Sequence, residues 1–454
     1  MRFSALIRHP LAIAGAVITT ASAVVFITLV IAVLAGMLNN PYAGLVVFLA
    51  IPALFVIGLV LIPIGMSLER RKLLLHPTEA KEWPVVDFRR VEVRRTALMI
   101  VALTAVNVVI VLLAGYGGLH AMDTPGFCGQ ACHTPMHPQF QAWQGAAHAG
   151  IACVECHIGE GAAAFVHAKL AGIRQLAQVA TTSYPRPIPS GTELPSGAQA
   201  EMCRSCHRPE RVLGDHVRVI REYADDEANT QAVTVLQMHM NATNESSRAI
   251  HWHANRSVHI EYVATDEERQ TIPYVRVTYA NGQVKEFVAQ DAAQDAVRNG
   301  ERRTMECGDC HNAVGHPISP TAERAVDRAI AAAMVSHELP FVRRESVRLL
   351  KESYSSEDDA VRGIEEGLRN FYKTRGGSVD QQALTKTVRT VQELYRRNVF
   401  PAMKVTWGTY PDNKGHITSN GCMRCHDDSH EAKDGSKISG DCEFCHKQIE
   451  QTLD

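Results

Sequence analysis

The chain has 454 residues, a formal net charge of −2 at pH 7, 46% apolar residues and only 6% aromatic residues. This composition excludes a disordered chain and a collagen-like fibre. The near-equal numbers of basic and acidic residues give no overall basic field, so we expect no nucleic-acid partner. The unusual counts are 12 cysteines and 21 histidines.

Three long apolar segments near the N-terminus predict membrane-spanning helices. They cover residues 11–37, 43–66 and 96–119. Each exceeds the roughly 20 residues that a helix needs to cross a bilayer core of about 30 Å. We therefore expect the chain to be embedded in a lipid bilayer.

The basic residues around these segments predict the orientation. Arg2 and Arg8 precede the first segment and eight basic residues lie between the second and the third, whereas the first connection, residues 39–42, is uncharged. Positive loops stay in the cytoplasm, so the N-terminus is predicted inside and everything after residue 119 in the periplasm. A cleaved signal peptide over residues 2–23 is the alternative, but the apolar run continues unbroken beyond it.

The cysteines downstream of these segments all fall in pairs, and a histidine follows every pair directly. Five sites are C-x-x-C-H and the first is C-x-x-x-C-H. In chain order, the six motifs are Cys128, Cys132 and His133; Cys153, Cys156 and His157; Cys203, Cys206 and His207; Cys307, Cys310 and His311; Cys422, Cys425 and His426; and Cys442, Cys445 and His446.

This spacing is the attachment signature of c-type haem: two thiols bond one porphyrin edge and the adjacent histidine binds the iron. Disulfides and zinc sites are the alternatives, but neither requires histidine at the next position. The motifs therefore predict six covalently bound haem c groups. The lengthened first motif leaves open whether its haem is held by two thioethers or fewer.

The chain is predicted to be mainly α-helical and to have four parts. These are a membrane domain with three transmembrane helices (residues 1–120), a domain with haem sites 1 to 3 (121–210), an insert with a β-hairpin or meander (211–306), and a helical extension with sites 4 to 6 (307–454). The exported part offers only about 56 residues for each motif, so the haems themselves are expected to form much of its core.

Two long inserts separate the motifs. In the first, alternating side chains around Asn281–Gly282 predict a hairpin with a type I′ turn, and residues 259–263 suggest a third strand. The second is helix-periodic over residues 321–397, with breaks at Pro340 and Gly376–Gly377. We interpret it as a spacer that packs against haems rather than as a catalytic domain.

The supply of second axial ligands decides what the haems can do, because a haem with two protein ligands transfers electrons and one with an open position also binds small molecules. Histidines outside the motifs suffice for mostly bis-histidine haems. The candidate distal ligands are His148, His239, His251, His253, His316, His416 and His430. Met136 is a candidate thioether ligand of the first haem.

One part of the chain resembles a known family. The segment from Phe127 through Met136, His148 and motif 2 to Lys169 resembles the NapC/NirT family of membrane-anchored quinol dehydrogenases. The longer layout, with three spans and a large haem-bearing extension, is similar to inner-membrane cytochromes of metal-respiring bacteria.

The resemblance implies a quinol pocket beside the first haem on the outer membrane face. It implies that Met136 lies near the iron, that Lys169 contacts the quinol oxygen, and that His148 ligates a neighbouring haem. Some family members carry an acidic residue where this chain has Leu176, so the proton acceptor is left open.

We therefore predict a hexahaem cytochrome c of the cytoplasmic membrane that oxidises a quinol, menaquinol in the first place, in anaerobic or extracellular respiration. Its expected partners are the membrane quinol pool and a periplasmic cytochrome or reductase as electron acceptor. The alternatives are a relay subunit without its own quinol site and a terminal reductase of a small nitrogen compound, which needs a haem with an open position.

Overall fold

The computed structural model describes residues 9–34, 50–75, 89–131, 133–158, 162–189, 198–211, 214–240, 249–376 and 378–453. The chain divides into two compact units, Met1–His133 and Thr134–Asp454. Helices predominate in the described residues, and antiparallel strands accompany them. The predicted mainly helical class is therefore confirmed, while the division into four parts stays a prediction.

The described part of the first unit is helical. Its helices are α1 (Pro10–Leu34), α2 (Ile51–Leu75) and α3 (Val91–Met122). Helices α1 and α2 approach each other closely, since a Cβ added at Gly58 would lie 2.8 Å from the carbonyl oxygen of Gly15. Contacts through small residues are typical of helices that associate within a bilayer.

Two of these helices are long and apolar enough to cross a membrane, over Pro10–Leu29 in α1 and Ile51–Lys72 in α2. Three were expected. The third predicted span, residues 96–119, lies inside α3, but the search of the described residues finds only α1 and α2. That α3 crosses the membrane stays a prediction. Helix α2 also continues to Leu75, beyond the predicted end at residue 66.

The second unit combines short helices with two antiparallel sheets. The helices are α4 (His133–Gln144, which starts at the unit boundary), α5 (Cys153–His157), α6 (Ala162–Ala180), α7 (Ala198–Cys206), α8 (Gln294–Asn299), α9 (Cys307–Cys310), α10 (Ala322–Ala331), α11 (Val342–Lys351), α12 (Glu357–Arg375) and α13 (Gln381–Asn398). The strands are β1 (Asp215–Tyr223), β2 (Gln231–His239), β3 (His259–Ala264), β4 (Tyr274–Thr278), β5 (Val284–Ala289), β6 (Glu301–Thr304), β7 (His430–Ala432) and β8 (His446–Leu453).

The sheets are more extensive than the sequence predicts. One has the strand order β1-β2-β8 and the other β6-β3-β4-β5-β7. Strand β8 starts at His446 of the last motif, and β7 follows the fifth motif closely. The C-terminal motifs are therefore anchored to strands from the first insert.

The predicted hairpin is present as β4 and β5, and β3 is the predicted third strand. The predicted type I′ turn is wrong. The N–H of Gly282 donates to the carbonyl of Tyr279, and in this loop only Gly282 has a positive φ, +82°. A type I′ turn needs positive φ at two central residues, so the loop is a three-residue connection with glycine in the left-handed region.

The second insert folds as the four helices α10 to α13. Pro340 lies between α10 and α11, and Gly376, with a φ of +74°, ends α12, as predicted. Gly377 lies outside the described residues. The largest apolar core of the described chain is here, because the amphipathic faces of these helices pack against each other. Its fully buried side chains include Val326, Ile364 and Val391.

Candidate haem sites

Each described C-x-x-C-H motif folds as a short helical turn. In motifs 3, 4 and 5, the N–H of the histidine donates to the carbonyl of the first cysteine at 2.8, 2.8 and 3.1 Å. Cysteines three residues apart then lie on one face of the turn, and the histidine follows below them. The turns are α5, the end of α7, α9, and the 3₁₀ turns Gly421–Arg424 and Cys442–Phe444.

The first motif has a different backbone. Residues Phe127–Ala131 form a π-helical turn, and Sγ of Cys128 lies 3.9 Å from the carbonyl oxygen of Met122. Cys132 lies outside the described residues. The attachment of a haem at this motif therefore stays a prediction.

No disulfide joins the cysteines that the structure describes. The described residues also contain no cluster of three or more His, Cys, Asp or Glu side chains suited to a metal ion. In the five motifs that are described in full, the cysteine pairs are therefore arranged neither as disulfides nor as zinc sites.

The histidines of motifs 2 to 6 each face a second histidine from elsewhere in the chain. The ring centroids are 6.1 Å apart for His157 and His316, 5.9 Å for His207 and His148, 6.5 Å for His311 and His251, 5.8 Å for His426 and His253, and 6.1 Å for His446 and His416. Five predicted distal candidates are therefore paired with five different motifs.

These separations fit a metal ion between the rings. Two metal–nitrogen bonds of about 2 Å, plus about 1 Å from each ring centroid to its nitrogen, place two axial imidazoles about 6 Å apart. Directly packed rings come closer or contact edge to face, with centroids at about 4.5 to 7 Å, so distance alone does not decide. The histidine beside each cysteine pair is the further feature that suits a c-type haem.

The hydrogen bonds of these histidines orient the rings. The Nδ1 atoms of His316, His253 and His426 lie 2.9, 2.8 and 2.8 Å from the carbonyl oxygens of Gln139, Ile250 and Ser439. A carbonyl oxygen only accepts, so Nδ1 carries the proton and Nε2 keeps its lone pair. This is the usual arrangement of a metal-binding histidine.

Burial keeps several of these imidazoles neutral, which is the form that binds metal. It is the main cause that lowers the pKa of five of them. They are His251, His253, His311, His316 and His446.

Two predicted distal candidates have other partners. His430 is 1% exposed; its Nε2 donates to the carbonyl of Ile272 at 2.7 Å, and its Nδ1 lies 3.1 Å from Oδ1 of Asp427. Both ring nitrogens are thus occupied. His239 ends β2, and its Nδ1 lies 3.0 Å from Oδ2 of Asp215. Neither belongs to the five imidazole pairs of the described residues.

The motifs contact one another in the order of the sequence. Helix α5 contacts α7, and α7 contacts α9. Arg424 of motif 5 donates to the backbone of motif 4, and Nδ1 of His426 bonds to Ser439 just before motif 6. Motifs 2 to 6 therefore form one series.

The chain was compared with known proteins. A model of the NapC/NirT cytochrome c family, N-terminal region, matches residues 90–187. Cytochrome c-type protein ImcH of Geobacter sulfurreducens is 36% identical over 454 residues, which cover 98% of this chain and 88% of that protein. The chain belongs to the NapC/NirT cytochrome c family. No solved structure matches it significantly.

Membership confirms the resemblance found in the motifs. This NapC/NirT cytochrome is a membrane-anchored electron-transfer protein that carries covalently bound haem c. The apolar helices α1 and α2 agree with the anchoring.

The matched family segment contains two predicted quinol-site residues. Met136 is half-buried in the first turn of α4, and Lys169 is half-buried near the middle of α6. Helix α6 also exposes an apolar stripe, with Val166, Leu170 and Ile173 each more than half exposed. These three residues follow the spacing of one helix face, and Lys169 is adjacent to that face.

The sequence did not predict the side chains that join neighbouring motifs at two junctions of the NapC/NirT cytochrome. Between motifs 3 and 4, Oε1 of Glu306 accepts from the N–H of Ala200 at 3.0 Å, and Oε1 of Gln199 accepts from the N–H of Gly308 at 3.2 Å. Between motifs 4 and 5, Arg424 donates to the carbonyl of Asp309 at 2.7 Å.

A signal for the second junction was present in the sequence. Motif 4 is C-G-D-C-H and motif 5 is C-M-R-C-H, so Asp309 and Arg424 hold the same motif position with opposite charges.

Proposed function

We propose that this family member is a hexahaem quinol dehydrogenase. It oxidises a quinol, menaquinol in the first place, at the periplasmic face of the cytoplasmic membrane and passes the electrons to a periplasmic cytochrome or reductase. The observation that carries the proposal is the set of five imidazole pairs along one series of motifs.

We assign the paired histidines as axial ligands. Opposite the motif histidines, His316 would hold the second haem, His148 the third, His251 the fourth, His253 the fifth and His416 the sixth. For the first haem, His133 and Met136 remain the candidates.

This ligation favours electron transfer over chemistry on a small substrate. When bound, a haem supplies an iron centre that accepts and releases one electron at a time. Haems at motifs 2 to 6 would each be held by two histidines, which would leave no iron position there for nitrite or hydroxylamine. The reductase alternative therefore loses five of its six candidate sites.

We place the quinol next to α6. The exposed apolar stripe of Val166, Leu170 and Ile173 suits a lipid-soluble ring, and the adjacent Lys169 can reach a quinol oxygen. The Lys169 ammonium group donates a hydrogen bond to that oxygen and stabilises the phenolate as its proton leaves. Oxidation of the quinol to the quinone releases two protons and two electrons, and the protons are released to the periplasm.

Stopped-flow spectroscopy of the detergent-solubilised full chain tests this proposal. A menaquinol analogue is mixed with wild-type protein, with Lys169→Ala and with Arg174→Ala, an exposed cation on the same helix. Because a hydrogen bond to a charged group contributes about 1.5 to 3 kcal/mol, Lys169→Ala is expected to slow haem reduction by about 10- to 100-fold. Arg174→Ala is expected to match the wild type.

Reduction by dithionite checks that the haems are intact in every variant. If wild-type protein is reduced by dithionite but not by the quinol, the dehydrogenase assignment is wrong, and the protein is a relay subunit fed by another protein. Equal slowing by both substitutions would remove Lys169 from the quinol site.

A further inference from the structure

The junction between motifs 4 and 5 contains a buried arginine. Arg424 is 7% exposed and lies between the two cysteines of motif 5. Its guanidinium donates three hydrogen bonds, all to backbone carbonyls: Nε to Gly421 at 2.7 Å, Nη1 to Arg269 at 2.9 Å and Nη2 to Asp309 at 2.7 Å. One side chain thus joins motif 5 to the backbone of motif 4.

No carboxylate neutralises this guanidinium within the described part of the chain. Asp309, whose backbone carbonyl accepts from Arg424, uses its carboxylate elsewhere. It accepts from the hydroxyl of Tyr262 at 2.5 Å and the N–H of Glu306 at 2.7 Å, and it pairs with Nη1 of Arg269 at 3.5 Å. Arginine stays protonated in proteins, so the junction keeps a buried positive charge.

The charge of Arg424 lies beside both motifs. Its guanidinium binds the carbonyl of Gly421, next to Cys422 of motif 5, and the carbonyl of Asp309, next to Cys310 of motif 4. A charge at this position acts on the attachment sites on both sides of the junction.

A fixed positive charge favours the reduced state of a nearby haem, because reduction removes one positive charge from the iron. We expect such a buried charge to change the ratio of reduced to oxidised haem by about tenfold, which is about 59 mV for a one-electron couple.

We propose that Arg424 is a positioning residue that holds motifs 4 and 5 together and raises the reduction potentials of the haems attached to them. An electron in the series is then stabilised on the haems at motifs 4 and 5. The proposal depends on haem attachment at these two motifs, which is part of the proposed function, but it does not depend on the quinol site.

The test is a mediated redox titration of the detergent-solubilised full chain, followed by visible absorption and electron paramagnetic resonance. Arg424→Gln removes the charge, Arg424→Lys keeps it but cannot reach three carbonyls, and Asp309→Asn removes the opposite charge from the same junction. Arg369→Met is the control, because Arg369 is a half-exposed cation on α12 that pairs with Glu365.

We expect Arg424→Gln to lower the reduction potentials of two haems. The shift is expected to be up to about 59 mV, which is a tenfold change in the ratio of reduced to oxidised haem. Arg424→Lys should shift the same two haems by less than half as much, and Asp309→Asn should shift them in the opposite direction. Arg369→Met should leave all potentials unchanged.

Equal shifts in the Gln and Lys variants would overturn the charge effect and leave only a packing role. Unchanged potentials in Arg424→Gln with all haems retained would overturn the whole proposal. If that variant loses haem, Asp309→Asn decides, since a positive shift of two haems supports the proposal and no shift contradicts it. Chemical mediators replace the quinol, so failure of the quinol site does not affect the result.

Discussion

The four helices α10 to α13 and haem motifs 2 to 6 belong to the same unit but are stabilised differently. The helices bury their own apolar core, with Leu368 and Val391 fully inaccessible. By contrast, α5 and the turn Cys442–Phe444 are short and have no buried residue of their own. The part that carries the chemistry therefore depends most on its cofactor, and the insert beside it supplies a rigid apolar body.

Removing one haem should show most clearly that the motifs and helices α10 to α13 are stabilised differently. In a Cys307→Ala, Cys310→Ala double variant, we expect amide exchange to become at least about tenfold faster in α9 and in the contacting helix α7 than in the wild type, because α9 loses both thioether links to its haem. Exchange in α12 and α13 should not change. Hydrogen exchange with mass spectrometry measures both, and equal acceleration in α12 would contradict the distinction.

The spin state of the haem iron distinguishes the assigned ligands from other buried histidines. His316→Ala should convert one ferric haem from low spin to high spin, because its iron loses an axial nitrogen. His430→Gln should leave all haems low spin, since both ring nitrogens of His430 already have partners. Absorption and paramagnetic resonance spectra check this, and a high-spin haem in His430→Gln would reverse the assignment.

The ligand-ring angles sharpen the same point. The ring planes are nearly perpendicular for His148 with His207 and for His253 with His426, both at 82°, whereas His416 and His446 are 20° apart. Perpendicular ligand planes give a strongly anisotropic low-spin signal, and near-parallel planes give a rhombic one. We therefore expect strongly anisotropic signals from two haems, those at motifs 3 and 5. The haem at motif 6 should give a rhombic signal that disappears in His416→Ala.

A core substitution in the insert should lower only the stability of helices α10 to α13. Leu368→Ala is expected to destabilise α10 to α13 by about 2 to 5 kcal/mol, because it removes buried methyl groups and leaves a cavity. The haem spectra should be unchanged at temperatures where the insert is folded. Thermal unfolding followed by circular dichroism tests this, and haem loss that precedes unfolding would show that the two regions are coupled.

The smallest effect is expected at the surface of the same insert. Arg369 and Glu365 are an exposed pair one helical turn apart, 2.8 Å between Nε and Oε1. Exposed pairs contribute less than about 1 kcal/mol, so Arg369→Met should barely change the unfolding temperature. A loss comparable to that of Leu368→Ala would mean that the ion pair is part of the packing.

The sheets show where sequence patterns failed. Strands β4 and β5 were predicted because their side chains alternate around a turn. Strand β2 was not, since every residue from Gln231 to His239 is half-buried and no alternation marks its two faces. Its partner β8 comes from the C-terminus, and such a long-range pairing has no local signature.

The histidines also show that sequence patterns do not predict contacts between distant residues. The sequence predicted a pool of seven distal candidates, and five of them face a motif histidine in the structure. His251 and His253 are two residues apart, yet they face motifs 4 and 5 respectively. No spacing rule separates them, because the turn Ile250–Ala254 directs their rings towards different parts of the fold.

The sequence by itself determined where haem can be attached, since two thiols and a histidine within five or six residues form a local signature that needs no tertiary information. It also determined the apolar N-terminal anchor and the family. Only the tertiary structure decided which histidine faces which motif, that motifs 2 to 6 contact one another in series, and that Arg424 joins two of them. These features depend on contacts between residues far apart in the chain, and packing alone brings such residues together.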